Sequence, residues 1–116
     1  PHGCANAIYL PYVIQFNAKA CKGRYVDIAK FMGLTGTDDE LVDKLCDMIQ
    51  DMNKALNIPL TLEEFGVKED EFKEKIAKIA ELAVGDACTL TNPRKITPAE
   101  MQKLFECTYY GKKVDF

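Results

Sequence analysis

The chain has 116 residues, of which 47% are apolar and 28% are charged, and its formal net charge is −3. This length suits one domain with a hydrophobic core, and a mildly acidic chain lacks the basic stripe expected of a nucleic-acid partner. No signal peptide or lipidation motif is visible. The five cysteines are scattered without a Cys-x-x-Cys pair, which favours reduced thiols in a cytoplasmic protein over a disulfide framework.

The first segment, Cys4 to Phe16, is the most apolar part of the chain, and only Asn6 and Gln15 interrupt it with polar groups. A helix that is apolar on nearly every face belongs in the middle of a fold. The segment is shorter than the about 20 apolar residues that cross a bilayer. We therefore predict a central N-terminal helix and no membrane contact. Because the chain starts at Pro1 and enters this segment at once, we also expect it to be a fragment.

A loop or weak turn at residues 18–23 and a short helix at 24–32 are predicted next, followed by alternating helix-start signals and apolar stripes. Capping boxes begin at Thr37, Thr61 and Thr97, the last with proline at the first helical position. The predicted inward stripes are Leu41, Leu45, Met48, Ile49, Met52 and Leu56; Phe72, Ile76, Ile79, Ala80 and Ala83; and Met101, Leu104, Phe105 and Thr108. The pattern predicts an all-α helical bundle of about five to six helices around the N-terminal helix, with residues 111–116 as a tail.

Two stretches carry side chains suited to chemistry. His2 is the only histidine, and it is either a metal ligand or an ordinary residue at a helix start; a metal site needs further ligands that converge on it. The polar segment from Gly85 to Arg94 is either a functional loop or a plain turn. In the second interpretation Asn92 and Pro93 turn the chain, while Arg94 caps a helix end or pairs with a carboxylate.

Taken together, the two stretches are more specific. The run Pro1-His2-Gly3-x-Ala-Asn-Ala-Ile-x-Leu-Pro11, with Asn17 beyond it, resembles the start of the helical C-terminal domain of iron-dependent (group III) alcohol dehydrogenases. The run Asp86-Ala-Cys-Thr-x-Thr-Asn-Pro-Arg94 resembles the motif near the C-terminus of that family. Their order, their separation and the closing helix after Thr97 also agree. The resemblance covers residues 1–116 as one helical, metal-binding domain.

The resemblance implies a two-domain oxidoreductase in which an absent N-terminal α/β domain binds NAD(P). In the family one Asp and three His hold a divalent ion, here expected to be Fe²⁺ with Zn²⁺ as the alternative, which polarises the oxygen of a small alcohol or aldehyde. His2 matches the last of these ligands, and Cys88 matches a position at the substrate pocket. The other ligands and the cofactor-binding residues fall outside the chain, so we expect the fragment alone to be inactive.

A second interpretation is a non-enzymatic helical module for protein interaction or assembly. It explains a helical bundle without a complete catalytic set, but it does not explain His2 and the segment from Cys88 to Arg94 together. Upstream sequence with a glycine-rich βαβ region and two further histidines would favour the enzyme. We also expect a homo-oligomer, because the absent α/β domain would leave apolar surface around the central helix uncovered, and such surface tends to associate.

Overall fold

The computed structural model describes residues 1–116 and contains five α-helices, one 3₁₀ turn and no strand. This confirms the predicted all-α class. No helix is both long enough and apolar enough to span a bilayer. The elements, in chain order, are α1 (His2–Phe31), α2 (Asp38–Ala55), α3 (Leu62–Phe65), α4 (Glu69–Gly85), the 3₁₀ turn (Ala87–Thr91) and α5 (Pro98–Tyr110).

Helix α1 contributes to every part of the core, as its apolar sequence predicts. Ile14 packs in a cluster with α2, Ile8 in a second cluster with residues of α3, α4 and α5, and Phe16 in a third with α5 and the tail. Ile8 and Phe16 are each only 1% exposed. Helix α1 therefore takes part in all three clusters, although α3 and α4 pack mainly on α5 and the first turn of α1 lies at the surface.

Residues 18–23, predicted as a loop or weak turn, form no separate loop but contain a kink in α1. The helix continues through this segment and is interrupted at a single residue, Cys21, whose φ of −140° and ψ of 42° bend the axis. Alanine and lysine, which make up most of this stretch, are strong helix formers, and that preference outweighs the weak apolar pattern on which the prediction rested. Close to the bend the Cys21 thiol donates to the Asn17 carbonyl oxygen at 3.4 Å.

Pro11 lies inside α1 and changes how α1 binds α2. Proline has no backbone N–H, so the carbonyl of Ala7, four residues earlier, loses its helical donor. The Asn53 side chain of α2 takes that place, because its Nδ2 donates to the Ala7 oxygen at 3.0 Å. Asn53 is 5% exposed, so this bond lies in the α1–α2 contact, where an unpaired carbonyl would be costly.

The predicted stripe of α2 is correct at its start and wrong at its end. Leu41 and Leu45 are buried, whereas Met52 is 48% exposed and Leu56 69% exposed. A row of residues spaced four apart turns gradually around a helix with 3.6 residues per turn, and here the inward position after Ile49 falls on Asn53. A pattern of apolar residues alone passes over this polar amide and selects Met52 and Leu56 in its place.

Helix α4 packs on α5 through Phe72, whose ring stacks on that of Tyr109 with centroids 4.3 Å apart. Phe72, Ile76 and Ala80 are buried at a spacing of four residues. Ile79 was also predicted to face inward, but it is 43% exposed because it lies to one side of that row. The helix ends at Gly85.

The three threonine caps are present, but only one forms the complete predicted capping box. In α5 the Thr97 hydroxyl accepts from the Glu100 amide and the Glu100 carboxylate accepts from the Thr97 amide. At α2 the Glu40 carboxylate accepts from the Thr37 hydroxyl instead of its amide. At α3 the Glu64 carboxylate reaches back to the Leu60 amide at 2.9 Å.

The segment predicted as a tail, residues 111–116, packs back on α1. The Val114 amide donates to Gln15 Oε1 at 2.8 Å, and Lys19 Nζ donates to the Asp115 carbonyl oxygen at 3.1 Å. Val114 is 5% exposed, and the rings of Phe116 and Phe16 meet edge-on with centroids 6.0 Å apart. The tail is therefore part of the third core cluster.

Candidate functional site

The two stretches singled out from the sequence meet in space. Asn17 of α1 and Asn92, which follows the 3₁₀ turn, exchange two hydrogen bonds: Asn17 Nδ2 donates to Asn92 Oδ1 at 2.9 Å, and Asn92 Nδ2 donates to Asn17 Oδ1 at 2.8 Å. Asn17 is 3% exposed. A buried, fully paired amide fixes the relative position of the two segments that carry it.

Arg94 adds a second connection between the same segments. Its Nη1 donates to the carbonyl oxygens of Phe16 at 2.8 Å and of Phe116 at 2.7 Å, and its guanidinium lies 3.9 Å above the centre of the Phe16 ring. Its Nη2 is 3.6 Å from a carboxylate oxygen of Glu100. Arg94 therefore pairs with a carboxylate, as the plain-turn interpretation expected, and it also binds one carbonyl of α1 and one of the tail.

The Glu100 carboxylate connects the N-terminal cap of α5 to Arg94. Its pKa is lowered chiefly by the hydrogen bond from the Thr97 amide, and further by the Thr97 hydroxyl and by the charge of Arg94. The ionised form is therefore favoured. The contact with Arg94 holds the start of α5 close to the segment that ends in Asn92.

A cavity of about 450 Å³ lies between α1, the end of α4, the 3₁₀ turn and α5. Its wall is largely apolar and includes Tyr9, Val13 and Leu104, while Asn6 and Asn92 are among the few polar groups. Burial raises the pKa of the Tyr9 phenol, which keeps the ring uncharged. A cavity of this composition suits a small molecule with an apolar body and one polar end.

Cys88 lies in the wall of this cavity, on the 3₁₀ turn, and remains exposed. The turn is closed by Asp86, whose carboxylate accepts from the Cys88 amide at 2.8 Å. It is joined to α4 through Thr89, whose hydroxyl donates to the Ala83 carbonyl oxygen at 2.6 Å. All five cysteines in the chain are free thiols.

His2 stands at the first residue of α1, exposed, and does not itself line the cavity. Its Nε2 is 3.1 Å from Nδ2 of Asn6, one helical turn further on, and Asn6 does line the cavity. No three or more His, Cys, Asp or Glu side chains converge on a common point. The chain thus offers one imidazole, so a divalent ion bound there would need further ligands from elsewhere.

Asn6, Asn17 and Tyr9 are site residues to which the sequence alone gave no role. Asn6 and Asn17 belong to the quoted motif, and the available signal was their polarity within an otherwise apolar helix. Polar residues in such a helix need partners once they are buried. The sequence could not reveal that the partner of Asn17 lies 75 residues away.

Comparison with solved structures gives the class of protein first. The fold matches an iron-containing alcohol dehydrogenase from Thermococcus thioreducens with a TM-score of 0.85 and 32% identity, over 97% of this chain and 29% of that one. It matches a 1,3-propanediol oxidoreductase with a TM-score of 0.83 and 31% identity, over 94% of this chain and 28% of that one. The class is therefore that of the iron-containing alcohol dehydrogenases, and this chain spans less than a third of these two structures.

Sequence comparison then gives the family. The model for the C-terminal region of the Fe-containing alcohol dehydrogenase family matches residues 1–109, and the chain belongs to this family. It is 56% identical over 117 aligned residues to an NADPH-dependent butanol dehydrogenase of Clostridium saccharobutylicum, spanning all of this chain and 30% of that protein. It is 37% identical over 121 residues to an aldehyde-alcohol dehydrogenase of Clostridium acetobutylicum, spanning 90% of this chain and 14% of that protein.

Proposed function

We propose that this domain forms one side of the active site of an NAD(P)-dependent alcohol dehydrogenase that interconverts a primary alcohol and its aldehyde. The observation that carries the proposal is the cavity of about 450 Å³, because Cys88 lines it and Asn6 connects it to His2. The names of the similar proteins, which include a butanol dehydrogenase dependent on NADPH, support the substrate class and the cofactor.

His2 is the proposed metal ligand. It is exposed at the end of α1, so a second domain can place its own ligands around the same ion. Asn6 Nδ2 lies 3.1 Å from His2 Nε2, and this contact orients the imidazole relative to α1. When bound, Fe²⁺, or Zn²⁺ in its place, supplies Lewis-acid polarisation of the alcohol or aldehyde oxygen.

Cys88 is the proposed pocket residue. Cys88 contacts the carbon chain of the substrate from the wall of the cavity, which is largely apolar around it. Tyr9 and Val13 face it from α1 and exclude water from that chain. Apolar contacts of this kind contribute roughly 0.8 kcal/mol for each buried methylene, so a short primary alcohol fits the site better than a charged substrate.

The nucleotide site and the remaining ligands are proposed to lie in the N-terminal part of the longer protein. The chain spans less than a third of the first relatives that it matches, 30% and 14% of their lengths. With one imidazole and no second ligand nearby, the chain alone is expected to bind Fe²⁺ or Zn²⁺ weakly and to lack dehydrogenase activity.

A chimera tests the proposal. The N-terminal part of the Clostridium saccharobutylicum butanol dehydrogenase, which is 56% identical to this chain where the two align, is joined to residues 1–116 in place of its own C-terminal region. We expect bound metal and butanol-dependent NADPH formation. His2→Ala removes a ligand outright, so metal affinity should fall at least as far as the about 10–100-fold loss that follows from disturbing an outer partner.

Lys75→Ala provides the matched control, because Lys75 is an exposed residue of α4 outside the cavity described above. It should leave both metal content and turnover unchanged. A chimera that keeps its metal and its activity after His2→Ala would overturn the assignment of His2. A 116-residue chain that binds metal tightly by itself would overturn the proposal that the ligand set is shared.

We also propose that the chain self-associates. Several large apolar side chains remain at the surface, among them Phe31, Leu56, Leu82 and Leu90, which are 90%, 69%, 61% and 84% exposed. Uncovered apolar surface favours association. Sedimentation should therefore show dimers or larger species whose fraction rises with concentration, and a monomer across the whole concentration range would contradict this.

A further inference from the structure

The cavity wall that carries Cys88 is held to α1 by few bonds. Within the 3₁₀ turn the hydrogen bonds are local: Asp86 closes its start, and the Thr91 hydroxyl donates to the Cys88 carbonyl oxygen at 2.8 Å. Thr89 ties the turn only to the end of α4. The connection across the cavity to α1 passes through Asn92 and Arg94, which follow the turn directly.

Asn92 is fully engaged in this connection. One of its amide hydrogens goes to Asn17 Oδ1 at 2.8 Å, and the same nitrogen donates to the Arg94 carbonyl oxygen at 2.6 Å. Its Oδ1 accepts from Asn17. A side-chain amide has two donor hydrogens and one acceptor oxygen, so only one placement of the turn against α1 satisfies both asparagines.

We propose that Asn17 and Asn92 form a positioning pair that sets the width of the cavity and thereby determines which lengths of alcohol the enzyme prefers. This rests on the proposed function, because it takes the cavity as the place of the substrate carbon chain. Both side chains also line the cavity. A wall held at one distance discriminates between chains that differ by a methylene, whereas a wall free to move accommodates both.

Asn53 offers a matched control for a purely structural role. Asn17 and Asn53 are 3% and 5% exposed, and both belong to side-chain hydrogen bonds that join α1 to another part of the chain. Asn53 lies on α2 and outside the cavity. Asn17→Ala and Asn53→Ala should therefore both lower thermal stability, but only the first should release the 3₁₀ turn.

Hydrogen exchange on the 116-residue chain measures that release without any metal. The amides of Cys88 and Asn92 report on the turn, because each is hydrogen-bonded within it. We expect exchange at these amides to become at least about tenfold faster in Asn17→Ala, since both hydrogen bonds of the pair are lost from the closed state. In Asn53→Ala they should exchange at the wild-type rate, to within about twofold. Equal acceleration in the two variants would overturn the proposal.

Asn92→Ala repeats the test from the other side of the pair and serves if Asn17→Ala does not fold. In the chimera, the ratio of kcat/KM for butanol to that for ethanol should fall roughly fourfold in either variant, about the value of one buried methylene, with metal content unchanged. An unchanged ratio would overturn the proposal. A chimera that depends on His2 but keeps its alcohol preference would contradict the positioning pair while leaving the proposed function intact.

Discussion

Helix α1 is held differently on its two sides. Toward α2 it packs by close apolar contact, in a cluster that includes Ile14, Ala29 and Leu45. Toward the 3₁₀ turn and α5 it leaves a cavity of about 450 Å³, spanned by the hydrogen bonds of Asn17 and Arg94. The first side is filled and the second is kept open.

The two sides of α1 contribute differently: apolar packing contributes mainly stability, and hydrogen bonds mainly fix the positions of groups. Apolar contacts stabilise the α1–α2 side without fixing the position of any single group, because dispersion and burial are not directional. Hydrogen bonds contribute less net free energy but require defined geometry. A binding site needs side chains at defined positions around a cavity. The hydrogen bonds of Asn17 and Arg94 accordingly lie on the cavity side of α1, and the close apolar packing lies on its α2 side.

Truncation of Leu45 should have the largest effect on this comparison. Leu45 is 3% exposed in the α1–α2 cluster, and Leu45→Ala should lower the free energy of unfolding by roughly 2–5 kcal/mol, the usual cost of a buried aliphatic truncation. Ile49→Ala, at a half-buried position, should fall at the lower end of that range. Urea denaturation measures both. If Val13→Ala, on the cavity side, lowered the free energy of unfolding as much as Leu45→Ala, the two sides of α1 would not differ in packing.

The buried thiol of Cys46 should make the α1–α2 side sensitive to alkali. Burial raises the pKa of this thiol from 9.0 to about 11, so the folded chain keeps the proton after the unfolded chain has lost it. The protonated thiol therefore adds to the free energy of unfolding. This contribution is fully present below about pH 9 and is lost as the pH rises through 11, and the total loss is roughly 2–3 kcal/mol. Denaturation between pH 8 and 11 should therefore show a steeper loss for the wild type than for Cys46→Ala. Parallel curves would contradict the prediction.

Asn53→Ala tests a buried polar link on the largely apolar α1–α2 side. It leaves the Ala7 carbonyl oxygen without a donor, which should cost about 1–3 kcal/mol. Pro11→Ala restores a backbone N–H that can bond to that carbonyl, so the cost of Asn53→Ala should shrink in the Pro11→Ala background. A double-mutant cycle measured by urea denaturation checks this, and additive costs would mean that the proline and the asparagine are independent.

The smallest effect is expected on the outer face of α4. Lys75 is exposed, and Lys75→Ala should change the free energy of unfolding by no more than about 0.5 kcal/mol. The same thermal or urea measurement serves as the baseline for the larger effects. A cost well above this value would mean that the outer face contributes to the packing, and that the division into two unlike sides of α1 is incomplete.

Much of the fold follows from the sequence because caps and apolar rows are local signals. Thr97, Pro98 and Glu100 mark the start of α5 without any knowledge of its neighbours, and the apolar start of α1 predicts its central place. Errors occurred where a neighbour decides the outcome. Met52 was predicted inward and is exposed, because the inward position beside α1 is taken by a polar residue with a partner there.

The candidate site was predictable only in part for the same reason. The motifs named His2 and Cys88, and the structure places Cys88 in the cavity wall and connects His2 to the cavity through Asn6. The pairing of Asn17 with Asn92 could not be derived, since nothing local to either residue indicates a partner 75 positions away. The role of His2 depends on ligands beyond these residues, so it remains a prediction that the chimera tests.

The proline in α1 also fixes the register between α1 and α2. A smooth apolar face allows one helix to slide along another, because neighbouring positions bury similar area. Only one carbonyl on α1, that of Ala7, has lost its own donor to Pro11, and Asn53 binds it. A slide of one turn, about 5.4 Å, would carry the amide to a carbonyl that is already bonded. The sequence of α1 thus specifies the position along its axis at which α2 packs, much as a single buried asparagine fixes the register of a coiled coil.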